Sequence, residues 1–194
     1  MKFLIMTVFS LCAGLCCREP ENDNLITYRI ENNTIMSVEN NQNIFSINDD
    51  IHITSIIDYN QTSTNNEAIN LNQIGASDLR TSIVLYKLTA YGTLSKIQLT
   101  ENDITINAGD IIVNTNSEIL NILFENDGNQ YVNDFSIKLL DTGTYYLGSP
   151  NESFNTNSNY NINIYAMNYQ NIDIHIFSSI INSNTDRLYE FTVN

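Results

Sequence analysis

Apolar and polar residues alternate along most of this chain, in short runs that are separated by Asn, Asp, Ser and Gly. The clearest run spans residues 172–176, where three Ile residues face one way while Asp173 and His175 face the other. This period of two is typical of a β-strand with one buried face. No segment keeps a helical period for three turns, and only Glu67–Gly75 is predicted to form a short helix. The pattern therefore predicts an all-β fold.

The same pattern gives a set of strands and the turns between them. Asn126-Asp127-Gly128-Asn129 predicts a hairpin turn, because Gly and Asn tolerate a positive φ. The polar stretches Asn60–Asp78 and Pro150–Asn159 are predicted to be loops. Residues 25–194 then form one antiparallel, Greek-key β-sandwich domain with two packed sheets. The predicted strands are Leu25–Glu31, Thr34–Val38, Asn43–Asn48, Ile51–Ile57, Leu79–Thr89, Leu94–Leu99, Ile104–Asn107, Asp110–Asn114, Ile119–Glu125, Tyr131–Leu140, Thr144–Gly148, Tyr160–Met167, Ile172–Ile180 and Arg187–Val193.

One local motif suggests how the two sheets are joined. Residues 140–147 read Leu-Asp-Thr-Gly-Thr-Tyr-Tyr-Leu, which resembles the tyrosine corner of immunoglobulin domains. In that corner a Tyr hydroxyl bonds back to the backbone; Tyr145 matches this Tyr, and Leu147 lies where the inter-sheet Cys would be. Because the chain has no Trp and no Cys after residue 17, the resemblance implies an immunoglobulin-like sandwich without immunoglobulin homology. A hairpin of similar sequence is the alternative.

The N-terminal segment has the features of a bacterial export signal. It reads MKFLIMTVFSLCAGLCC, with one Lys and an apolar run shorter than the roughly 20 residues of a spanning helix. A Cys that follows small residues at the end of such a segment resembles a bacterial lipoprotein signal. The resemblance implies a signal peptide over residues 1–16 and lipidation of Cys17. Lipidation of Cys16, or ordinary cleavage that releases the protein, are the alternatives.

The residues that follow resemble those of a particular group of lipoproteins. Residues 17–24 form an acidic tether, and the cluster from Arg18 to Asn24 is similar to the export tags of Bacteroidota surface lipoproteins. The runs Phe45–Ile53 and Tyr189–Val193 also resemble segments of lipoproteins from that phylum. The resemblance implies an outer-membrane lipoprotein that is exposed at the cell surface. A plain spacer, and a secreted or periplasm-facing protein, are the alternatives.

Composition limits the partners of this protein. The 194 residues include 22 acids and 8 bases, which give a formal net charge of −14. This balance argues against a nucleic-acid partner. The three Cys residues all lie between positions 12 and 17, so the folded domain has none for a disulfide or a metal site.

The remaining candidates for chemistry are two His residues and several carboxylates. If their strands were neighbours, His52 and His175 could hold a metal ion, although solvated His residues are the alternative. A glycosidase needs two carboxyl groups about 5 to 9 Å apart. Loop acids and Asn carbonyls also suit Ca²⁺, which is the one candidate cofactor. The carboxylates are Asp49, Asp50 and Asp58 around one strand, and Glu101, Asp103 and Asp110 around another.

The sequence contains no Gly-x-Ser-x-Gly elbow, no HExxH helix and no phosphate-binding loop, so no catalytic residue and no metal ligand is assigned. We therefore expect a non-enzymatic, lipid-anchored protein of the cell envelope with a binding or structural role. Its ligand would be an extracellular glycan or protein. The alternative is a secreted or anchored hydrolase with an acidic site. Exposed aromatic loop tips would favour binding, whereas two close carboxylates in a cleft would favour hydrolysis.

Overall fold

The computed structural model describes residues 25–113, 118–150, 160–167 and 171–194. Within these ranges the chain forms seventeen β-strands and two single 3₁₀ turns, Glu39–Asn41 and Glu101–Asp103. The prediction of an all-β sandwich is confirmed. The strands are β1 (Ile26–Glu31), β2 (Met36–Val38), β3 (Ile44–Phe45), β4 (Asp50–Asp58), β5 (Asn60–Thr62), β6 (Ala68–Asn70), β7 (Arg80–Leu88), β8 (Leu94–Lys96), β9 (Ile104–Ala108), β10 (Asp110–Val113), β11 (Leu120–Leu123), β12 (Glu125–Asn126), β13 (Gln130–Lys138), β14 (Gly143–Gly148), β15 (Ile162–Met167), β16 (Ile172–Ser178) and β17 (Tyr189–Val193).

A large sheet of ten strands is organised around β7. Its main path runs β1-β16-β15-β7-β14-β17-β3, and both β11 and β8 pair with the other edge of β7, with β10 beyond β11. The first half of β7 lies between β15 and β11, whereas its second half lies between β14 and β8. The large sheet therefore forks into two branches that share this one strand.

A small sheet of five strands covers the inner face of the large one. Its central strand is β13, which pairs with β4 along one edge and with both β12 and β9 along the other. Strand β2 extends the sheet beyond β4. The hairpin of β5 and β6 forms a separate two-stranded ribbon.

The core lies between the two sheets and follows from the alternation along each strand. In β4, Ile51, Ile53 and Ile57 are buried, and in β16 the same holds for Ile174 and Ile176. These residues belong to one contiguous hydrophobic cluster that draws on both sheets. Burying each such side chain contributes roughly 1.5–3 kcal/mol, so the alternating pattern directs the chain into two facing layers.

The predicted hairpin at residues 126–129 is confirmed. Glu125 and Asn126 of β12 pair with Val132 and Tyr131 of β13, and Gly128 has a φ of 96°. The Asp127 carboxylate accepts the N–H groups of the two residues after Gly128, at 2.8 and 2.9 Å. These two backbone hydrogen bonds also lower the pKa of Asp127.

Three features differ from the sequence-based expectation. The large sheet is mixed, because β1 pairs with β16 and β3 pairs with β17 in parallel. The predicted loop Asn60–Asp78 contains the β5–β6 hairpin, which a bond from the Ser63 N–H to the Glu67 carbonyl closes. The predicted helix over Glu67–Gly75 was wrong: its first residues pair with β5 and the rest form turns, since they lack a helical apolar stripe.

The chain passes from one sheet to the other at Gly109. Strand β9 before it belongs to the small sheet, and β10 after it belongs to the large sheet. Gly109 has a φ of 74°, and the fully buried Asn133 side chain lies against it. The Asn133 amide donates to the Asp110 carbonyl at 3.3 Å and to the Leu123 carbonyl at 3.0 Å. This joint therefore fastens the two sheets together with hydrogen bonds to backbone groups.

Candidate functional site

The sandwich has one end at which exposed apolar residues, a cleft and a tightly bonded corner come together. We call it the hairpin end and define it by the β7–β8 turn (residues 89–93), the corner of residues 139–143 and the start of β14. Strand β14 begins at this end, because Tyr145 pairs with Lys87 near the end of β7.

The β7–β8 turn carries a fully displayed aromatic side chain. Tyr91 at its tip is 93% exposed, and the cross-strand pair Leu88 and Leu94 below it is also exposed. The turn is closed by bonds between Thr89 and Thr93: the N–H of the first donates to the carbonyl of the second at 2.8 Å, and their hydroxyls lie 2.8 Å apart. Tyr91 is therefore presented on a well-defined support.

Tyr145 lies at the corner beside this hairpin. Its hydroxyl donates to the Asp141 carbonyl at 2.9 Å, and its ring, only 4% exposed, stacks on Phe191 with centroids 5.5 Å apart. The Lys87 ammonium lies 5.3 Å from the centre of the Tyr145 ring and 3.5 Å from the Asp141 carboxylate. Burial acts to lower the pKa of Lys87, but Tyr145 and Asp141 outweigh it and raise the pKa. Lys87 thus ties the hairpin base to the corner as a cation.

A cleft of about 200 Å³ opens between the corner and the segment after β8. Its floor is apolar, and its rim carries charges of both signs. At the same end, Ile47 and Leu140 are exposed, close to the backbone bonds that join Ile47 to Asn194 and Asn48 to Leu139. The lining residues are Leu85, Ile97, Gln98, Leu99, Asp103, Lys138, Leu139, Leu140, Asp141 and Tyr145.

Removing the Tyr145 hydroxyl tests the corner. We expect Tyr145→Phe to lower the free energy of unfolding by about 0.5–1.5 kcal/mol, since a partly buried hydrogen bond is lost while the ring packing stays. Urea unfolding followed by circular dichroism measures the change. Tyr91→Phe is the matched control, because it removes the hydroxyl of an exposed Tyr and should leave stability unchanged. Equal stability of wild type and Tyr145→Phe would show that the hydrogen bond contributes nothing.

The predicted carboxylate groups are spread out along the strands. Asp50 pairs with Lys138 and Asp58 with Gln130 at opposite ends of β4, which places them roughly 26 Å apart. Asp103 accepts the Thr100 hydroxyl at 2.7 Å, and the whole of β9 separates it from Asp110 by roughly 17 Å. Neither of these two pairs has the spacing that a glycosidase needs.

The two predicted His residues belong to different sheets, so they do not face each other. His175 lies on the outer face of β16, 3.5 Å from the Asp173 carboxylate. His52 lies on the outer face of β4 in the small sheet. Among the described residues, no group of three or more His, Cys, Asp and Glu side chains is arranged to hold a metal ion.

His52 is the centre of a polar cluster. Its Nε2 lies 2.6 Å from the Asp134 carboxylate and its Nδ1 lies 3.1 Å from the Glu39 carboxylate. Asn107 donates a further bond to Asp134 at 2.7 Å. The two carboxylates sit on opposite ring nitrogens, so they cannot converge with the ring on one ion. The cluster instead links strands β4, β13 and β9 to the turn after β2 across the outer face of the small sheet.

This cluster shifts two pKa values in opposite directions. The hydrogen bond to Asp134 raises the pKa of His52 above its ordinary 6.5, against burial and with help from Glu39. Burial acts to raise the pKa of Asp134, but the hydrogen bonds from Asn107 and His52 outweigh it and lower the pKa below 3.8. The His52 contribution to stability is therefore complete below pH 6.5 and lost as pH rises through the folded-state value. The Asp134 contribution to stability is lost as pH falls through the folded-state pKa of Asp134. Both contributions are therefore complete between about pH 4 and 6.5.

We expect Asp134→Asn to flatten the pH dependence of stability. The loss is greatest between pH 4 and 6.5, at up to about 1 kcal/mol because both side chains are partly solvent-exposed. Urea unfolding at a series of pH values measures it. Asp58→Asn is the matched control, since it also removes one carboxylate from the outer face of the small sheet, but at the end of β4, six positions from His52. An unchanged pH profile in Asp134→Asn would contradict the assignment.

These observations define the class of protein: an all-β sandwich with an exposed Tyr and exposed apolar residues at one end. No known protein family model matches the chain, and no curated protein matches it either. No sequence motif singled out Tyr91 as a functional residue. The signal that could have found it is a large aromatic residue at a turn between Leu88 and Leu94.

Proposed function

We propose that this chain is a lipid-anchored protein of the cell envelope that binds a protein ligand through its hairpin end, without catalysis. The observation that carries the proposal is the 93% exposure of Tyr91 on a hydrogen-bonded turn. Tyr is enriched at protein interfaces, where it supplies a large contact area and a polar tip. A rigid support lowers the entropy that an interface must offset when the side chain is immobilised.

The surroundings of Tyr91 suit a protein more than a glycan. Leu88, Leu94, Ile47 and Leu140 add exposed apolar surface at the same end, and such surface is typical of the core of a protein interface. The cleft of about 200 Å³ has an apolar floor that can receive one hydrophobic side chain of a partner. Lys138 and the acids at its rim can pair with polar groups around that side chain.

Strand directions support display of this end away from a membrane. Strand β1 runs parallel to β16, and both run in the direction of β7, because β15 is antiparallel to β16 and to β7. Arg29 and Arg80 lie in one cross-strand row, so Leu25 and Leu88 are separated by roughly 40 Å along the strands. An anchor at Cys17, only eight residues before Leu25, would leave Tyr91 facing away from the bilayer.

Membrane fractionation tests the anchor. Wild-type protein should remain with the membranes, and Cys17→Ala should lose both retention and signal processing, because a diacyl or triacyl group is what makes anchoring stable. Cys16→Ala is the matched control and should behave as wild type. Protease added to intact cells should then cleave the anchored protein from outside. Membrane retention of Cys17→Ala would contradict the lipid anchor. Protection of the anchored protein from protease would contradict the surface location.

Site-specific photocrosslinking tests the ligand. A benzophenone side chain at position 91 should give a discrete protein adduct in intact cells, whereas one at position 129, on the turn at the other end of β13, should give none. Mass spectrometry identifies the adduct, and Tyr91→Ala should then weaken binding of the purified partner at least 30-fold, as expected for an interface hot spot of about 2 kcal/mol. A glycan adduct, or equal adducts at both positions, would refute the proposal.

A further inference from the structure

A second cleft, of about 300 Å³, lies where the segment between β16 and β17 folds over the turn after β1. It is remote from Tyr91 in the chain and shares no lining residue with the cleft at the hairpin end. We propose that this cleft binds a small, sugar-sized ligand that bears one oxyanion, with Arg187 as the anchor. The lining residues are Asn33, Ser179, Ile180, Ile181, Asn182, Ser183, Asn184 and Arg187.

Arg187 holds a backbone conformation that its residue type disfavours. Eight described residues other than Gly have a positive φ, and seven of them are Asn or Asp, whose short polar side chains tolerate it. Arg187, with a φ of 65°, is the exception. A long side chain of this kind stays in the left-handed region only when the surrounding structure imposes that conformation. Such residues cluster at active sites and ligand-binding sites.

The surroundings of Arg187 do impose that conformation. Its N–H donates to the Asn184 carbonyl at 2.8 Å, and the Asn184 side chain accepts the N–H groups of Asp186 and Leu188 at 2.9 and 3.1 Å. On the other side, the side-chain amide of the buried Asn161 donates to the Arg187 carbonyl. The turn is thus bonded on both flanks of Arg187.

The positive charge of Arg187 has no ion-pair partner among the described residues. Arg29 stacks 4.1 Å over Phe177 and lies 3.4 Å from Glu31, and Arg80 bonds the Asp78 carbonyl at 3.3 Å. The guanidinium of Arg187 has no hydrogen bond, ion pair or ring contact within the described ranges. This holds although acids outnumber bases 22 to 8 in the chain.

The acid next to Arg187 in the sequence, Asp186, acts on Tyr146. Asp186 does not line the cleft, and together with burial and Glu190 its charge raises the pKa of Tyr146. Arg187 is a partly buried residue, and its guanidinium has no counter-charge in the described part of the chain. A ligand oxyanion matches it best, since the planar fork of a guanidinium binds carboxylate or phosphate through two parallel bonds.

The cleft also limits the size and the charge of the ligand. A volume of about 300 Å³ is at the lower end of small-molecule sites, enough for one sugar ring. The side chains of Asn33 and Asn182 offer amide groups that bind sugar hydroxyls. The Ser183 hydroxyl donates to the Ile180 carbonyl at 2.6 Å, so it offers a ligand an acceptor. The net charge of −14 disfavours a polyanion, so a single carboxylate or phosphate on a sugar fits best.

Calorimetry on the full-length chain in detergent, with three probes, tests the proposal. Glucuronate and glucose 6-phosphate carry the two oxyanions, and glucose is the same ring without one. Wild type should bind one or both anionic probes and bind glucose at least tenfold more weakly; the preferred anion identifies the source of the ligand. Arg187→Asn should weaken binding of the preferred probe at least tenfold, whereas Arg29→Gln, an equal charge change on the outer face of β1, should not.

Thermal unfolding separates this role from a structural one. Because Asn tolerates the left-handed conformation, Arg187→Asn should melt at the same temperature as wild type or higher, although it loses the ligand. Arg187→Gly should behave in the same way, since Gly adopts this φ without strain. Failure of both anionic probes to bind, binding of glucose with equal affinity, retained binding in both variants, or a lower melting temperature in both would each overturn the proposal.

Discussion

Gly109→Ala is expected to lower the free energy of unfolding by about 2–5 kcal/mol, because two costs add. A φ of 74° costs an L-residue about 1–2 kcal/mol relative to Gly. A Cβ at this position would also meet the Asn133 side chain and lie 2.6 Å from the Leu123 carbonyl oxygen, and overpacking of this kind costs about 1–3 kcal/mol. The backbone must shift at the joint where the chain changes sheets, so the loss is shared by both layers. Urea unfolding followed by circular dichroism measures it.

Gly92→Ala is the control that separates the two costs. Gly92 has a φ of 76°, almost the same as that of Gly109, but a Cβ there would have nothing within 4 Å. Its substitution should therefore cost only the conformational part, about 1–2 kcal/mol. Equal losses in the two variants would show that the contact with Asn133 and Leu123 is relieved at no cost, contrary to the close packing of the joint.

The second large effect is expected from Phe135→Ala, at about 3–5 kcal/mol. Phe135 is fully buried at the centre of β13, with Ile53 of β4 as its neighbour on one side and Ile106 of β9 on the other. Truncation removes a large apolar side chain from the core between the two sheets, and the cavity that remains adds to the lost burial. Chemical unfolding of the full chain measures the change.

Phe177→Ala is the matched control for Phe135→Ala. Phe177 lies on the outer face of β16, partly exposed, under the Arg29 guanidinium. Its removal leaves no cavity, and it should cost about 1 kcal/mol, mainly through the lost cation–π contact. If the two variants lose the same stability, the core does not lie between the sheets as described.

The strands were largely predictable from the sequence, whereas their partners were not. The alternation of Ile with Asp173 and His175 gives both the strand and its two faces, because burial follows a period of two. Nothing local shows that β1 pairs with β16 in parallel, since that register depends on residues about 146 positions apart. The β5–β6 hairpin was missed because each strand has only three residues and contains an Asn, a residue type that is depleted in strands.

The candidate sites show the same division. Tyr145 could be singled out because its corner has a local sequence pattern. His52 was visible as a residue, but its link to Asp134 depends on the register between β4 and β13, across 82 positions. Arg187 has no sequence signal at all, because a positive φ at an Arg is set by the bonds of Asn184 and Asn161 around it.

The parallel pairs at the ends of the large sheet have a consequence for synthesis. Among the described residues, β1 pairs along its whole length with β16, and β3 pairs with β17, so each of these early strands has its ladder partner almost 150 positions later in the chain. During synthesis these strands therefore lack their ladder partners until β16 and β17 have emerged, and pairings this distant fold slowly. Truncation before β17 would leave β3 and β14 as open edges with which another molecule could pair.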